Sequence, residues 1–179
     1  MLKRRALAPV ALTIIVAALL AGCGLVGSES ATKASHSAAA NPLRALKPVY
    51  PKKLTAATAK TETIRIADQI QDLIAKTDII YVDNHDEVVP ATKTAGSYYG
   101  VLRTVNVSPS LDPGAQAEAM AKLLETAGWI ERENANDTGK YLVALSSSSD
   151  SRAWFLLLGG DAGDKKPVVT IQLASPDLP

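Results

Sequence analysis

The sequence predicts an α+β domain, with two helices packed on one face of a mainly antiparallel sheet of four to six strands. Two segments place apolar residues at helical spacing, and the second half of the chain carries several short apolar runs. The loops between the last of these runs are too short for parallel crossovers, so those strands should be antiparallel. A length of 179 residues suits a single domain of this kind.

The first helix is predicted over about residues 61–76, and residues 54–60 could extend it at the start. Ile66, Ile70, Leu73 and Ile74 recur at i, i+4, i+7 and i+8, while polar residues stand between them. That spacing puts one apolar stripe on a helix surface.

The second helix is predicted from Pro113 to Ala127. Asp112 is a favourable N-cap, and proline suits the first helical position because its missing N–H would be unpaired there anyway. Gly128 stands where a glycine commonly ends a helix.

Six strands are predicted, separated by segments rich in turn residues. They cover residues 79–82, 97–107, 129–133, 140–146, 153–158 and 168–174. Polar turns are expected at 83–87, 134–139 and 159–166, and Val88-Val89 could pair briefly before Pro90. In the strand 97–107, alternation places Tyr99 and Val101 on one face and Tyr98 on the other.

Charge is distributed unevenly along the chain. Residues 30–61 include six basic residues and no acidic one, whereas residues 62–179 include ten basic and seventeen acidic residues. A basic tether thus leads into an acidic body. This excludes the usual profile of a nucleic-acid-binding domain, which clusters Lys and Arg on its folded surface.

The first residues have the pattern of an export signal. Three basic residues near the start precede an apolar stretch, residues 6–21, which ends in Leu20-Ala21-Gly22-Cys23. These four residues resemble the lipobox of bacterial lipoproteins. The resemblance implies that signal peptidase II recognises Leu20, Ala21 and Gly22 and cuts before Cys23. It also implies that the Cys23 thiol carries diacylglycerol, and two acyl chains anchor a protein stably to a membrane.

The expected organisation follows from this resemblance. Residues 1–22 would be the signal peptide, 23–53 the lipidated N-terminus with a flexible basic tether, and 54–179 the globular domain. Two alternatives remain open: an uncleaved transmembrane helix, and an ordinary signal peptide with an incidental cysteine. All three readings place the domain outside the cytoplasm. The Ala-rich composition also resembles lipoproteins of high-GC Gram-positive bacteria.

Catalytic and metal-binding motifs are weak in the sequence. His85 is the only histidine of the predicted domain and stands among acidic residues, which is too little for a metal shell. Glu131 and Glu133 are expected to share one face of a strand, as solvent-facing residues rather than as an acid–base pair. The serines at 146–149 are expected in a solvated turn. We therefore expect no metal, no cofactor and no assignable catalytic residue.

Aromatic side chains offer a weak ligand-binding hypothesis. Tyr98 and Tyr99 point to opposite faces of their strand, so at least one should be exposed and could stack on a ligand. Trp129 and Trp154 are expected in the core.

The function expected from these observations is a non-enzymatic binding or accessory module. It would be held by lipid on the outer face of the cell membrane, beside an envelope protein partner. The alternative is a small envelope hydrolase that acts on cell-wall material. An exposed apolar patch or an open sheet edge would favour the module, whereas a pocket with convergent polar groups would favour the enzyme.

Overall fold

The structure is a computed structural model, and it describes residues 42–91, 96–163 and 166–179, which belong to one compact unit. The signal-peptide and lipobox residues, including Cys23, lie outside the described residues. The elements are α1 (Pro42–Ala45), α2 (Ala56–Gln71), β1 (Ile79–Pro90), β2 (Ser97–Val107), α3 (Pro113–Thr126), β3 (Ile130–Asp137), β4 (Lys140–Ser146), β5 (Phe155–Asp161) and β6 (Val168–Ala174).

The six strands form one antiparallel sheet in the order β1-β2-β6-β5-β4-β3. Helix α2 packs against β2 and β6, and α3 packs against β4, β5 and β6. The predicted α+β class, with helices on an antiparallel sheet, is therefore confirmed. Within the described residues, no helix is long and apolar enough to span a membrane.

The core lies between the helices and one face of the sheet, which we call the covered face. Alternate residues of β2 from Tyr99 to Val107 are buried there, as the predicted alternation requires. Ile66 and Ile70 of α2 and Leu124 of α3 are fully buried against them. Burial of aliphatic side chains of this size contributes roughly 1.5–3 kcal/mol each.

Helices α2 and α3 both begin at capped positions. The Asp112 carboxylate accepts hydrogen bonds from the N–H groups of Gly114 and Ala115, and Gly128 ends α3 with φ 98°, as predicted. Helix α2 begins at Ala56, within the extension over residues 54–60 that the sequence allowed, where Thr55 and Thr58 form a reciprocal capping box. It ends at Gln71 rather than near Lys76.

Two polar contacts, one part-buried and one buried, attach helix α2 to β2 and to the residue before β5. Arg103 of β2 donates to Asp68 Oδ1 at 2.5 Å and to Gln71 Oε1 at 3.0 Å on α2. Trp154, which precedes β5, donates from its indole nitrogen to Thr63 Oγ1 at 3.1 Å. Both tryptophans are buried, as predicted from the sequence.

Three predicted turns are wrong in their bounds. Residues 83–87 continue β1, which pairs with β2 without a break from Tyr81 to Pro90. Residues 134–137 continue β3, so that only Thr138-Gly139 turns, and residues 159–161 continue β5. Residues 83–87 and 134–137 lie on the two edge strands, where polar side chains reach water without leaving the ladder.

Residues 42–53, which we call the strap, pack against the domain. Leu46 is buried, and the Trp129 indole nitrogen donates to its carbonyl at 2.9 Å. The Arg65 guanidinium donates to the carbonyls of Ala45 and Lys47 at 2.7 and 2.8 Å. The flexible tether expected to reach residue 53 therefore does not include the strap, and the ordered domain includes residues from Pro42 onward.

Candidate functional site

The second face of the sheet, which we call the open face, has no element packed on it within the described residues. Cross-strand partners in an antiparallel sheet point to the same side. One row across the open face therefore runs from His85 through Leu102, Gln172 and Leu157 to Ala144. The neighbouring rows hold Gly100, Ala174 and Phe155 on one side, and Thr104, Thr170, Gly159 and Leu142 on the other.

Four large apolar side chains on this face form what we call the apolar patch: Leu102, Leu142, Phe155 and Leu157. Their exposed fractions lie between 40% and 53%. Leu157 follows Phe155 by two residues on β5, and Leu142 of β4 is paired with Gly159 of the same strand. Apolar side chains that cluster on a surface, rather than being scattered singly, are typical of an interaction site.

Acidic residues flank the apolar patch along both edges of the sheet. On β1, Asp83 and Glu87 are exposed and pair with Thr104 and Gly100 on the open face. On β3, Glu133 and Asp137 are exposed and pair with Ala144 and Lys140. The open face thus has an apolar centre between two acidic edges.

Positive charge on the open face is sparse within the described residues. Lys140 lies 3.4 Å from Asp161, and His85 lies 3.3 Å from Glu87. The Asp161 carboxylate accepts a hydrogen bond from Gly163, which together with Lys140 lowers its pKa. Lys140 and His85 therefore each have an acidic neighbour.

The two tyrosines proposed for ligand stacking lie in different surroundings. Tyr98 is half-buried on the open face and lines a shallow depression of about 270 Å³ with His85, Gln172 and Leu102. Tyr99 is buried on the covered face, so its ring cannot stack on a ligand. Of the two tyrosines, only Tyr98 therefore remains a candidate for stacking on a ligand.

Tyr99 instead belongs to a polar cluster at the β1 edge of the covered face. Its hydroxyl donates to the Asp86 carboxylate, and Lys60 Nζ of α2 lies 3.6 Å from Asp86 Oδ2. The same ammonium lies 5.7 Å from the centre of the Tyr99 ring. The hydrogen bond from Tyr99 lowers the pKa of Asp86, and burial raises the pKa of the Tyr99 hydroxyl. This cluster ties α2 to the edge strand.

The serine-rich segment is a hydrogen-bonded loop rather than the solvated turn that was expected. Ser146 Oγ accepts from Arg132 Nε at 2.7 Å, and Ser147 Oγ accepts from the Trp154 amide at 2.8 Å. His85 lies on β1, four strand positions away from β4. Among the described residues, these hydroxyls therefore have no histidine base of the kind that a serine nucleophile would use.

Glu131 and Glu133 do not share one face of β3, contrary to expectation. A register shift between them lets Glu131 pair with Leu145, whose side chain is on the covered face, and Glu133 with Ala144 on the open face. The bulge thereby separates the two carboxylates. Among the described residues, no group of three or more His, Cys, Asp or Glu could hold a metal ion.

No protein-family model matches the chain, and no curated protein is similar to it.

Proposed function

We propose that this protein is a lipid-anchored module on the outer face of the cell membrane, and that its open face binds a partner protein of the envelope. The observation that carries the proposal is the apolar patch between two acidic edges. A fitting partner presents an apolar centre with basic residues on either side. The acidic edges would select it and speed its approach, since complementary charge mainly governs specificity and association rate.

The geometry favours binding over hydrolysis. The apolar patch spans strands β2, β4 and β5, beside a shallow depression at Tyr98. The hydroxyls of Ser146 and Ser147 accept hydrogen bonds from Arg132 and from the Trp154 amide, and the two glutamates of β3 are separated by the bulge. A flat, apolar surface with a charged rim is the usual form of a protein–protein interface.

The partner proposal is tested with a matched pair of leucines. Leu157 on the open face and Leu123 on α3 are each 41% exposed. A photo-crosslinking residue at position 157 should capture an envelope protein in intact cells, and the same residue at 123 should not. Leu157→Arg should abolish function and capture from a probe at Leu102, whereas Leu123→Arg should change neither. An arginine stem can lie along apolar surface while its charge stays in water, so both variants should fold.

The dependence of capture on charge tests whether the partner is basic. Capture should weaken with added salt and with the double variant Glu133→Gln, Asp83→Asn, because both changes reduce the attraction of acidic edges for a basic partner. Equal capture from positions 157 and 123 would contradict the proposal. Capture of a second copy of this chain would replace the envelope partner with a homodimer.

The lipid anchor is tested separately. Mass spectrometry of the native protein should show Cys23 as its first residue, with two or three acyl chains on it. Cys23→Ala should release the protein from membranes or leave it as precursor. An intact Met1 on membrane-extracted, functional protein would refute the anchor in favour of a transmembrane helix.

A further inference from the structure

The strap joins one end of the domain, which we call the strap end. Helix α2 begins there at Ala56, α3 ends there at Thr126, and the β4–β5 loop (residues 147–154) lies beside the strap. The Tyr50 hydroxyl is 2.9 Å from Ser147 Oγ, and the Tyr50 ring meets Trp154 edge-on with centroids 5.3 Å apart. At the opposite end, the β3–β4 turn and the start of α3 lie close to Ala162 and Gly160 of β5 and the loop after it.

The strap is held rigidly by contacts from its backbone and its apolar side chains. Glu62 accepts a hydrogen bond from the Val49 amide at 2.5 Å and is itself paired with Arg65 at 2.6 Å. That pairing raises the pKa of Arg65, so the carbonyls of Ala45 and Lys47 always face a charged donor. These contacts use none of the charged side chains of the strap, which are exposed.

Those outward side chains are all basic. Arg44, Lys47, Lys52 and Lys53 are exposed, and the strap contains no acidic residue. Within the described residues, none of the four pairs with a carboxylate. Between them lie Val49, 66% exposed, and Tyr50, 42% exposed. An apolar and an aromatic side chain set among unpaired cations are typical of a surface that meets lipid headgroups.

A cleft of about 430 Å³ continues this surface between the strap and the β4–β5 loop. Lys47, Tyr50, Ser147, Asp150 and Arg152 are among the residues that line it. Asp150 is the acidic residue of the cleft, and one of its oxygens accepts from the Arg152 amide. Asp177, Glu125 in the last turn of α3 and Glu131 at the start of β3 are further exposed acidic residues at this end. The strap end nevertheless carries more positive charge than negative charge.

The opposite end has the reverse balance. Its acidic residues are Asp72, Asp112 and Asp137, which are exposed, and Asp78 and Asp161, which are half-buried; the lysines among its described residues are Lys76, Lys140 and Lys166. The charge of the domain therefore changes sign along its length. A field of this kind orients a protein near a charged surface.

We propose that the strap end rests on the anionic headgroups of the bilayer to which the chain is anchored. This inference rests on the proposed lipid anchor. Cys23 precedes Pro42 by nineteen positions, so the anchor holds the strap within about 65 Å of the lipid even when that segment is fully extended. At such a distance the effective concentration of the domain at the bilayer is high, and a weak surface attraction suffices. The open face then projects sideways from the bilayer, within reach of an envelope partner.

The test uses the lipidated protein reconstituted into two kinds of vesicle. One is pure phosphatidylcholine, and the other an equal mixture of phosphatidylcholine and phosphatidylglycerol. Lipidation occupies the only natural cysteine of the chain, so Val49→Cys can be labelled with a fluorophore at a single site. Thr138→Cys, in the exposed turn at the opposite end, provides the matched control. Acrylamide, an uncharged quencher, reports the exposure of each label to water.

We expect quenching at position 49 to fall about twofold or more in vesicles with phosphatidylglycerol, where each nearby basic residue contributes attraction to the surface. It should not fall in pure phosphatidylcholine, and the label at 138 should be quenched equally in both. Added salt should remove the protection at 49, because it shortens the range of the attraction.

Charge variants identify the responsible residues. Arg44→Gln, Lys52→Gln and Lys53→Gln together should weaken contact about 100-fold, since each charge near the surface contributes about fivefold. The control Lys76→Gln, Lys140→Gln, Lys166→Gln removes the same charge from the opposite end and should retain the protection. Protein that floats with both vesicles but shows no protection at 49 would overturn the inference and leave the anchor intact. Failure to float with either vesicle would refute the anchor and the inference together.

Discussion

The two faces of the sheet present similar apolar residue types but put them to different uses. On β5, Leu156 and Leu158 are buried beneath the helices, whereas Phe155 and Leu157, which alternate with them along the strand, are about half exposed. Hydrophobicity alone therefore does not determine which side of a strand becomes core. The helices determine it, because α2 and α3 cover one face and no described element covers the other.

Adjacent residues at the start of β5 give the sharpest test of this contrast. Trp154→Ala removes a fully buried ring and its hydrogen bond to Thr63. It should lower the free energy of unfolding by about 3–5 kcal/mol. Phe155→Ala removes a half-exposed ring and should cost about 1 kcal/mol or less. Urea unfolding followed by circular dichroism measures both.

Equal losses from the two variants would mean that the open face is also packed, which would contradict the apolar patch. If Trp154→Ala fails to fold, Trp154→Phe provides the smaller change. Its loss should still exceed that of Phe155→Ala, because the indole donor to Thr63 is removed.

Two successive glycines of β5 test the same contrast between the faces through the steric room for an added Cβ. A Cβ at Gly160 would overlap the backbone of Pro113, where α3 begins against the covered face. Gly160→Ala should therefore cost about 1–3 kcal/mol or more, as overpacking does. A Cβ at Gly159 would lie 3.4 Å from Leu142 Cδ1 on the open face. Gly159→Ala should change stability by less than about 1 kcal/mol.

Hydrogen exchange at the first turn of α3 distinguishes a local from a general effect of Gly160→Ala. Faster exchange of the Gly114 and Ala115 amides, which donate to Asp112, would show that the helix start has been displaced. Unchanged stability in this variant would show that α3 does not approach β5 as closely as the structure describes.

Local signals explain which elements the sequence could predict. Helix α3 is bounded by Asp112 and Gly128, which act within their own turn, and its predicted start at Pro113 agrees with the structure. Strand β6 is predicted with its observed bounds, Val168–Ala174, because turn residues stand before it and alternating apolar residues fill it.

Long-range contacts explain what the sequence could not predict. The strap has the composition of a linker, and one of the hydrogen bonds that hold it joins the Trp129 indole to the Leu46 carbonyl, 83 residues away. The open face could not be predicted from the sequence either. Residues 154–158 are apolar without alternation, so no local pattern distinguishes the covered residues from the exposed ones. The hypothesis for Tyr98 and Tyr99 correctly required opposite faces, but only the fold decides which ring is buried.

The edge strand β1 gives the smallest expected contrast between the faces, and it depends on pH. Asp86 points to the covered face and accepts from the Tyr99 hydroxyl, whereas Glu87 points to the open face and lies 3.3 Å from His85. The bond from Tyr99 lowers the pKa of Asp86. The stability it contributes is therefore present above the ordinary aspartate pKa, 3.8, and is lost as pH falls through the lower pKa of the folded state.

Tyr99→Phe should remove this pH-dependent contribution to the free energy of unfolding. At neutral pH it should lower the free energy of unfolding by about 1 kcal/mol, the usual contribution of one hydrogen bond. The difference from the wild type should shrink as pH falls below 3.8, because Asp86 is protonated first in the unfolded state and then, at its lower pKa, in the folded state. Glu87→Gln, one residue away on the open face, should change stability by less than about 1 kcal/mol, since exposed ion pairs contribute little. Urea unfolding at pH 3 and pH 7 compares the variants, and a pH-independent loss in Tyr99→Phe would assign the tyrosine a packing role alone.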